Sequence, residues 1–370
     1  MRPTILLLGG TGRAGQVAAR LLLEHTDARV LIGGRNREKA AAFAAELARE
    51  FTGGRVEARA VDAANESSLR AALEGARLLF DCGPTALFTG RIPLACIAAG
   101  VDCLDIHPSR SLAVLRPLAR EVARAGRCFV TQAGLHPGLP ATIMRHAASL
   151  LTRCDSVAAA MLFNVGSVPG PESVVELVEE MSAYRSLVWS VGAWRKPSWS
   201  HTRRFDFGPG LGRRTCYPMW SDELEGLPER IGAEDAGFYV AGFNWLADAV
   251  VTPLAVVFGS IRRGLGARPL ARLLAFSVRR FGRRPFAIVL TAEATGERDG
   301  TPRTVRVVVR SDDDDGYRLT AVPAVACVRQ LLDGAIARPG VHLMGHLVEP
   351  ARLAGDMKRM GIGVEVAVGP

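Results

Sequence analysis

Gly10, Gly12 and Gly15 stand in a G-x-G-x-x-G pattern, preceded by Gly9 and interleaved with Thr11, Arg13 and Ala14. A first glycine allows a tight turn, a second lets backbone approach a pyrophosphate, and a third lets a helix pack closely on a strand. The helix that follows offers free N–H groups and partial positive charge to phosphate. The alternative is a tight strand–helix turn that holds no ligand. Further on, Leu31-Ile32-Gly33-Gly34-Arg35-Asn36-Arg37 lacks the acid that would bond a ribose 2′-hydroxyl. Arg35 stands where a 2′-phosphate would lie, with Asn36 beside it and Arg37 and Lys39 close behind, and a guanidinium pairs phosphate bidentately. The pattern predicts NADP(H) rather than NAD(H). Asp62 ends a third strand, where it reaches an adenine edge or caps the next helix. Gly83-Pro84 follows a fourth strand, lining the nicotinamide ribose side or forming an ordinary turn.

Proton chemistry falls to residues just beyond later strands. His107 follows the fifth strand and His136 the sixth, and ligands in open α/β sheets lie beyond the carboxyl ends of strands. Either imidazole is a candidate general acid near neutral pH, with His136, before Pro137-Gly138, the first choice. His136 could instead bond only loop backbone. Asp105 ends the fifth strand and orients a histidine or the carboxamide, or is structural. Arg203, Arg204, Arg213 and Arg214 could hold a substrate carboxylate or be solvated charge. Trp189, Trp194, Trp199 and Trp220 line an apolar pocket or pack a core. Asp312–Asp315 lacks the alternating spacing of a calcium loop and reads as a hairpin turn. His201, His342 and His346 have no companion Cys or acid at zinc spacing, and no metal is expected.

The elements that must position these groups alternate over residues 1–150. Strands are expected at Thr4–Leu8, Arg29–Ile32, Arg55–Val61, Leu78–Asp81, Val101–Asp105 and Cys128–Gln132. Helical spacing lies between them, at Gln16–Glu24, Arg37–Glu50, Ser67–Leu73 (with Ser67 as N-cap), Ile92–Ala99 and Ser111–Ala125. Such βαβ alternation argues for a doubly wound parallel sheet. Beyond residue 150, Ser156–Asn164, Phe286–Ala294, Thr304–Val309 and Tyr317–Ala321 read as strands of a mixed or antiparallel sheet, with hairpins at Glu297–Thr301 and Asp312–Gly316. Trp189–Pro218 reads as an irregular loop, Pro350–Met360 as a helix and Ile362–Val368 as a last strand. The expected α/β division is a Rossmann domain at 1–150, an α+β substrate and dimerisation domain at 151–340, and a segment at 341–370 packing back on the first.

The chain of 370 residues is 48% hydrophobic and carries a formal charge of +9. Only Lys39, Lys196 and Lys358 among its 46 basic residues are lysines, so the charge reads as an arginine bias, and no nucleic-acid motif accompanies it. Seven scattered cysteines without a CxxC read as reduced core residues of a cytoplasmic protein, and no signal peptide or membrane span is expected. Trp245–Phe258 is almost wholly apolar and is followed by arginines. It reads as a buried helix pair, a homodimer face or an interfacial membrane helix.

The stretches Ile5–Gly15, Gly34-Arg35-Asn36, Ala60–Asp62, Asp81-Cys82-Gly83-Pro84, Val101–Asp105 and Ala133-Gly134-Leu135-His136-Pro137-Gly138 resemble the saccharopine dehydrogenase-like family of NAD(P)-dependent oxidoreductases. The resemblance is good over residues 4–150 and weaker at Phe205–Pro209 and Gly340–Gly361. It implies hydride transfer between a nicotinamide and a C–N bond of an amino-acid-like small molecule. It also leaves room for an NADPH-dependent reductase of a lipid or polyketide-like C=C bond, or for an NADPH-binding regulator without turnover. His136 stands where relatives often place Asp, a departure that bears on the chemistry.

Overall fold

The computed structural model describes residues 2–83, 90–107, 110–167, 170–198, 200–313 and 316–370. Pro84 and Trp199 lie outside them, as do Asp314 and Asp315. Along the chain run β1 (Thr4–Leu8), α1 (Arg13–His25), β2 (Arg29–Gly34), α2 (Arg37–Glu50), β3 (Val56–Ala60), α3 (Glu66–Leu73), β4 (Leu78–Asp81), α4 (Arg91–Ala99), β5 (Asp102–Asp105), α5 (Arg110–Arg124), β6 (Cys128–Thr131) and α6 (Leu139–Ala148). There follow β7 (Arg153–Asn164), α7 (Pro171–Ser182), β8 (Val188–Ser190), β9 (Ala193–Arg195), β10 (Arg203–Asp206), β11 (Arg213–Pro218), α8 (Leu227–Ile231), β12 (Asp235–Ala241), a π-helical turn (Ala247–Val251), α9 (Thr252–Ile261) and α10 (Ala267–Phe281). The chain closes with β13 (Ala287–Arg298), β14 (Thr301–Ser311), α11 (Tyr317–Leu332), β15 (Gly340–Leu343), α12 (Met344–Leu347), α13 (Pro350–Arg359) and β16 (Gly363–Gly369).

Two compact units result. The first holds residues 1–142 and 317–361, the second 143–316 and 362–370. In the first, seven parallel strands lie in the order β15-β6-β5-β4-β1-β2-β3, which is the doubly wound dinucleotide-binding order with β15 added beside β6. Strands such as Leu78–Asp81 are buried throughout, as a sheet covered on both faces requires. Leu6, Leu31, Leu79, Leu69 and Phe129 meet in its core. The second unit is a mixed sheet in the order β10-β11-β12-β7-β13-β14-β16, in which β7 and β12 run parallel and the other neighbours antiparallel. The β13–β14 hairpin turns at Asp299-Gly300, both at positive φ, which matches the twist of the flanking strands.

Four expectations differ from this fold. Tyr317–Ala321 is the first turn of a sixteen-residue helix, not a strand. The segment is buried almost all round, so its short apolar run shows no face. Asp312 and Asp313 accordingly lead out of β14 rather than into a hairpin partner. Trp189–Pro218 is not an irregular loop, since β8–β9 and β10–β11 form two short hairpins there. Asn65, not Ser67, caps α3 by accepting the Ser68 N–H. The boundaries at 150 and 340 shift as well. The chain returns to the first unit at Tyr317 because α11 packs on α1, and β16 leaves it again by pairing with β14.

Asp356 fastens that return. Its carboxylate is fully buried and pairs with Arg329 of α11 and with Arg359. Arg352 approaches at 3.9 Å. Removing one partner of a buried ion pair leaves uncompensated charge. Because the three guanidiniums stay partly in water, Asp356→Ala is expected to cost about 3 kcal/mol, at the low end for such losses. Urea unfolding of the two proteins checks this.

Candidate active site

Local geometry explains each glycine of the first turn. Gly9 has φ +75°, and a Cβ there would lie 2.4 Å from the Gly83 Cα. A Cβ on Gly15 would lie 2.3 Å from the Gly9 carbonyl oxygen, so the third glycine is what lets α1 sit against β1. At Gly12 a Cβ would meet only that same carbonyl, at 3.2 Å, and the space beyond is open. No side chain caps α1, which leaves its first-turn N–H groups for an external acceptor. The Gln16 side chain donates to the Thr11 carbonyl oxygen at 3.1 Å and steadies the turn. Arg13 lies over the Tyr317 ring at 5.7 Å, and Ala14 is half-buried.

Beyond β2, Arg35, Arg37 and Lys39 are exposed. Asn36 caps α2 through its side-chain oxygen, which accepts the Lys39 N–H at 2.8 Å. Asp62 folds onto its own loop. Its Oδ1 accepts the Ala64 N–H at 3.0 Å, and its N–H donates to the Ser68 hydroxyl at 2.9 Å. It does not cap α3.

On the other side of β1, the ends of β4 and β5 bring charged groups together, with Thr131 at the end of β6 beside them. Asp81, at the end of β4, accepts the Gly83 N–H through Oδ1 at 3.0 Å, and its Oδ2 lies 3.1 Å from His107 Nε2. Asp105, at the end of β5, accepts the His107 backbone N–H and the Thr131 hydroxyl through Oδ1, both at 2.9 Å. Burial pushes the Asp105 carboxyl up to about 6, against the pull of His107 and Thr131. Pairing Nε2 with Asp81 makes Nδ1 the basic ring nitrogen of His107. His136 lies on the loop after β6, and burial takes its imidazole down to about 4. It is therefore neutral at pH 7, which suits accepting a hydrogen bond better than supplying a proton.

Asp81 was not among the groups the sequence marked for proton chemistry, although it ends a parallel strand as Asp105 does. Gln132 was also missed. It follows β6 at φ +58°, fully buried, with neither carboxamide atom hydrogen-bonded among the described residues. A buried amide with donor and acceptor both unmet costs about 1–3 kcal/mol per group, so its place calls for a ligand.

The second unit's candidates do not converge. Arg203 pairs with Glu293 at 3.5 Å and lies over Phe205, Arg214 donates to the Leu211 carbonyl at 3.0 Å, and Arg204 and Arg213 are exposed. Trp189, Trp194 and Trp220 pack edge to face on one another, at 5.5 and 4.6 Å between centroids. Asp312 pairs with Arg310 and Asp313 with the Ser311 hydroxyl, and no metal-holding cluster occurs among the described residues.

Residues 5–129 match the family described as the saccharopine dehydrogenase NADP binding domain. Carboxynorspermidine synthase of Vibrio cholerae is 26% identical over 350 residues, covering 84% of this chain and 83% of that one. The solved apo structure of saccharopine dehydrogenase (L-Glu forming) from Saccharomyces cerevisiae aligns over 100% of both chains with a TM-score of 0.71, at 14% identity. That likeness is one of fold.

Proposed function

We propose that this chain, an oxidoreductase of the saccharopine dehydrogenase-like family, transfers hydride between NADP(H) and a C–N bond of an amino-acid-like substrate. The observation that carries the reading is the continuity of its two halves. Gly9 of the phosphate turn abuts Gly83, Gly83 donates to Asp81, and Asp81 meets His107. The turn and the acid–base pair are thus built into one another at adjoining strand ends.

The residues present fit the cofactor. Gly12 leaves room where a pyrophosphate would lie, and the first turn of α1, from Arg13 through Ala14 to Gly15, would face it. Arg35, at a strand end that carries no acid, would take the 2′-phosphate, with Arg37 and Lys39 adding charge. Gln132 would meet the nicotinamide carboxamide, whose donor and acceptor mirror its own. Bound there, NADP(H) supplies or accepts the hydride. His107 holds the proton of the C–N step at Nδ1. Asp81 fixes the ring through its contact with Nε2, and Asp105 anchors the main chain that carries it. The names of the two relatives, saccharopine dehydrogenase and carboxynorspermidine synthase, support an amino-acid-like substrate. Seven cysteines without a disulfide fit a reducing compartment such as the cytoplasm.

The test is NADPH consumption with mixtures of 2-oxo acids or aldehydes and amines. Turnover is expected with at least one pair, and kcat/KM is expected to rise with pH through about 6 as Asp105 ionises. Asp105→Asn should remove that limb. Stability runs the other way. A carboxyl whose folded pKa is raised stabilises the fold below about pH 4 and loses that contribution, about 3 kcal/mol, as pH rises through 6. Absence of turnover with every pair, alongside tight NADPH binding, would favour a regulator.

A further inference from the structure

Between Asp248 and Glu293 the sequence contains no acidic residue, yet it holds eight arginines, at 262, 263, 268, 272, 279, 280, 283 and 284. All eight are exposed, and no ion pair among the described residues reaches any of them. The basic excess is therefore concentrated here and not spread evenly with the arginine bias. The same stretch is exposed and apolar. Trp245, Leu254, Val257, Ile261, Leu265 and Phe276 make up six of the eleven exposed large hydrophobic residues described. Leu254, Val257 and Ile261 recur at helical spacing along α9, whose buried side packs on α7. Arg272, Phe276, Arg279 and Arg280 form one exposed patch on α10, where Phe276 and Trp245 both meet Phe281 edge to face. Of the three readings the sequence left for Trp245–Phe258, a buried helix pair is excluded by these exposures.

We infer that α9 and α10 form a docking surface for an anionic lipid bilayer, lying in its interface without crossing it. Aliphatic and aromatic side chains ringed by unpaired cations suit the boundary between acyl chains and acidic headgroups. No helix among the described residues is long and apolar enough to span. A second copy of the chain fits poorly. A two-fold contact through this face would set arginines against arginines, eight from each copy, with the half-buried Glu179 beside Gly264 too few to offset them. A nucleic acid would use the arginines but would leave Leu254, Val257 and Ile261 without a counterpart.

Flotation of the full chain with vesicles tests the inference. Phosphatidylcholine vesicles holding about a third phosphatidylglycerol should carry the protein upward at low salt, and pure phosphatidylcholine vesicles should not. Val257→Asp/Ile261→Asp is expected to lower the bound fraction at least fivefold, as is Arg272→Gln/Arg279→Gln/Arg280→Gln. All five positions are exposed, and unchanged melting temperatures would confirm that the variants fold. Any of the following results would overturn it. One is no flotation with the acidic vesicles. Another is flotation that the Val257→Asp/Ile261→Asp variant leaves intact, which is charge attraction alone. The last are a dimer in solution that the same variant dissociates, and duplex DNA binding that displaces the protein from vesicles.

Discussion

Gly15→Ala is expected to weaken NADPH binding at least a hundredfold. The added methyl would sit 2.3 Å from the Gly9 oxygen and 2.8 Å from the Gly10 Cα, distances at which backbone must move. Moving it pushes α1 away from β1 and carries the first-turn N–H groups off the phosphate position. A hundredfold loss corresponds to about 2.7 kcal/mol, well within the cost of displacing packed backbone. Since such a variant could also unfold, Gly12→Ala is the companion. Its methyl meets only the Gly9 oxygen, at 3.2 Å, and otherwise fills the open space. It should keep the wild-type melting temperature and still lose about tenfold in affinity. A Gly12→Ala protein that binds NADPH as tightly as wild type would mean that the pyrophosphate lies elsewhere.

Asp81→Asn should lower kcat by about 10²–10⁴ while leaving cofactor affinity nearly unchanged. If the one amide oxygen keeps the Gly83 N–H, an NH₂ group faces His107 Nε2; if the amide turns over, a neutral oxygen faces Nε2 and the Gly83 N–H loses its acceptor. Either the ring takes the other tautomer or its protonated form loses its counter-charge. His107→Ala should do similar damage, and the double variant should be little worse than either single one, because the two act as a unit. Additive losses would show that they work separately.

Most of the first unit was legible because its signals are local. A glycine turn between strand and helix, strands ending in Asp or Gly, and helices with caps specify a doubly wound sheet through short-range chemistry. The boundaries of Arg37–Glu50 and Leu78–Asp81 follow from it directly. The return of the chain at Tyr317 was not legible. A helix buried almost all round carries no amphipathic stripe, and its partner α1 lies some three hundred residues away in sequence. The proposed adenosine side rests on Arg35 and the missing acid, both visible in the sequence. The proposed proton-handling side rests on the sequence only in part. His107 and Asp105 announce themselves by type and position, but the pairing of His107 with Asp81 depends on β4 and β5 being neighbours. Gln132 looked like one more strand residue, and only its positive φ and unmet amide single it out. His136 was favoured for its ionisable ring, whereas burial sets which protonation state that ring adopts.

The account stands or falls on how the glycine turn and Arg35 treat the two nicotinamide dinucleotides. Titration calorimetry of NADPH and NADH into wild type and Arg35→Ala measures this without any substrate. The expected result is a clear preference of wild type for NADPH, cut by about tenfold or more in Arg35→Ala through weaker NADPH binding, with NADH affinity unchanged. Equal affinity of wild type for both would contradict the role given to Arg35, and binding of neither would remove the basis for hydride chemistry altogether.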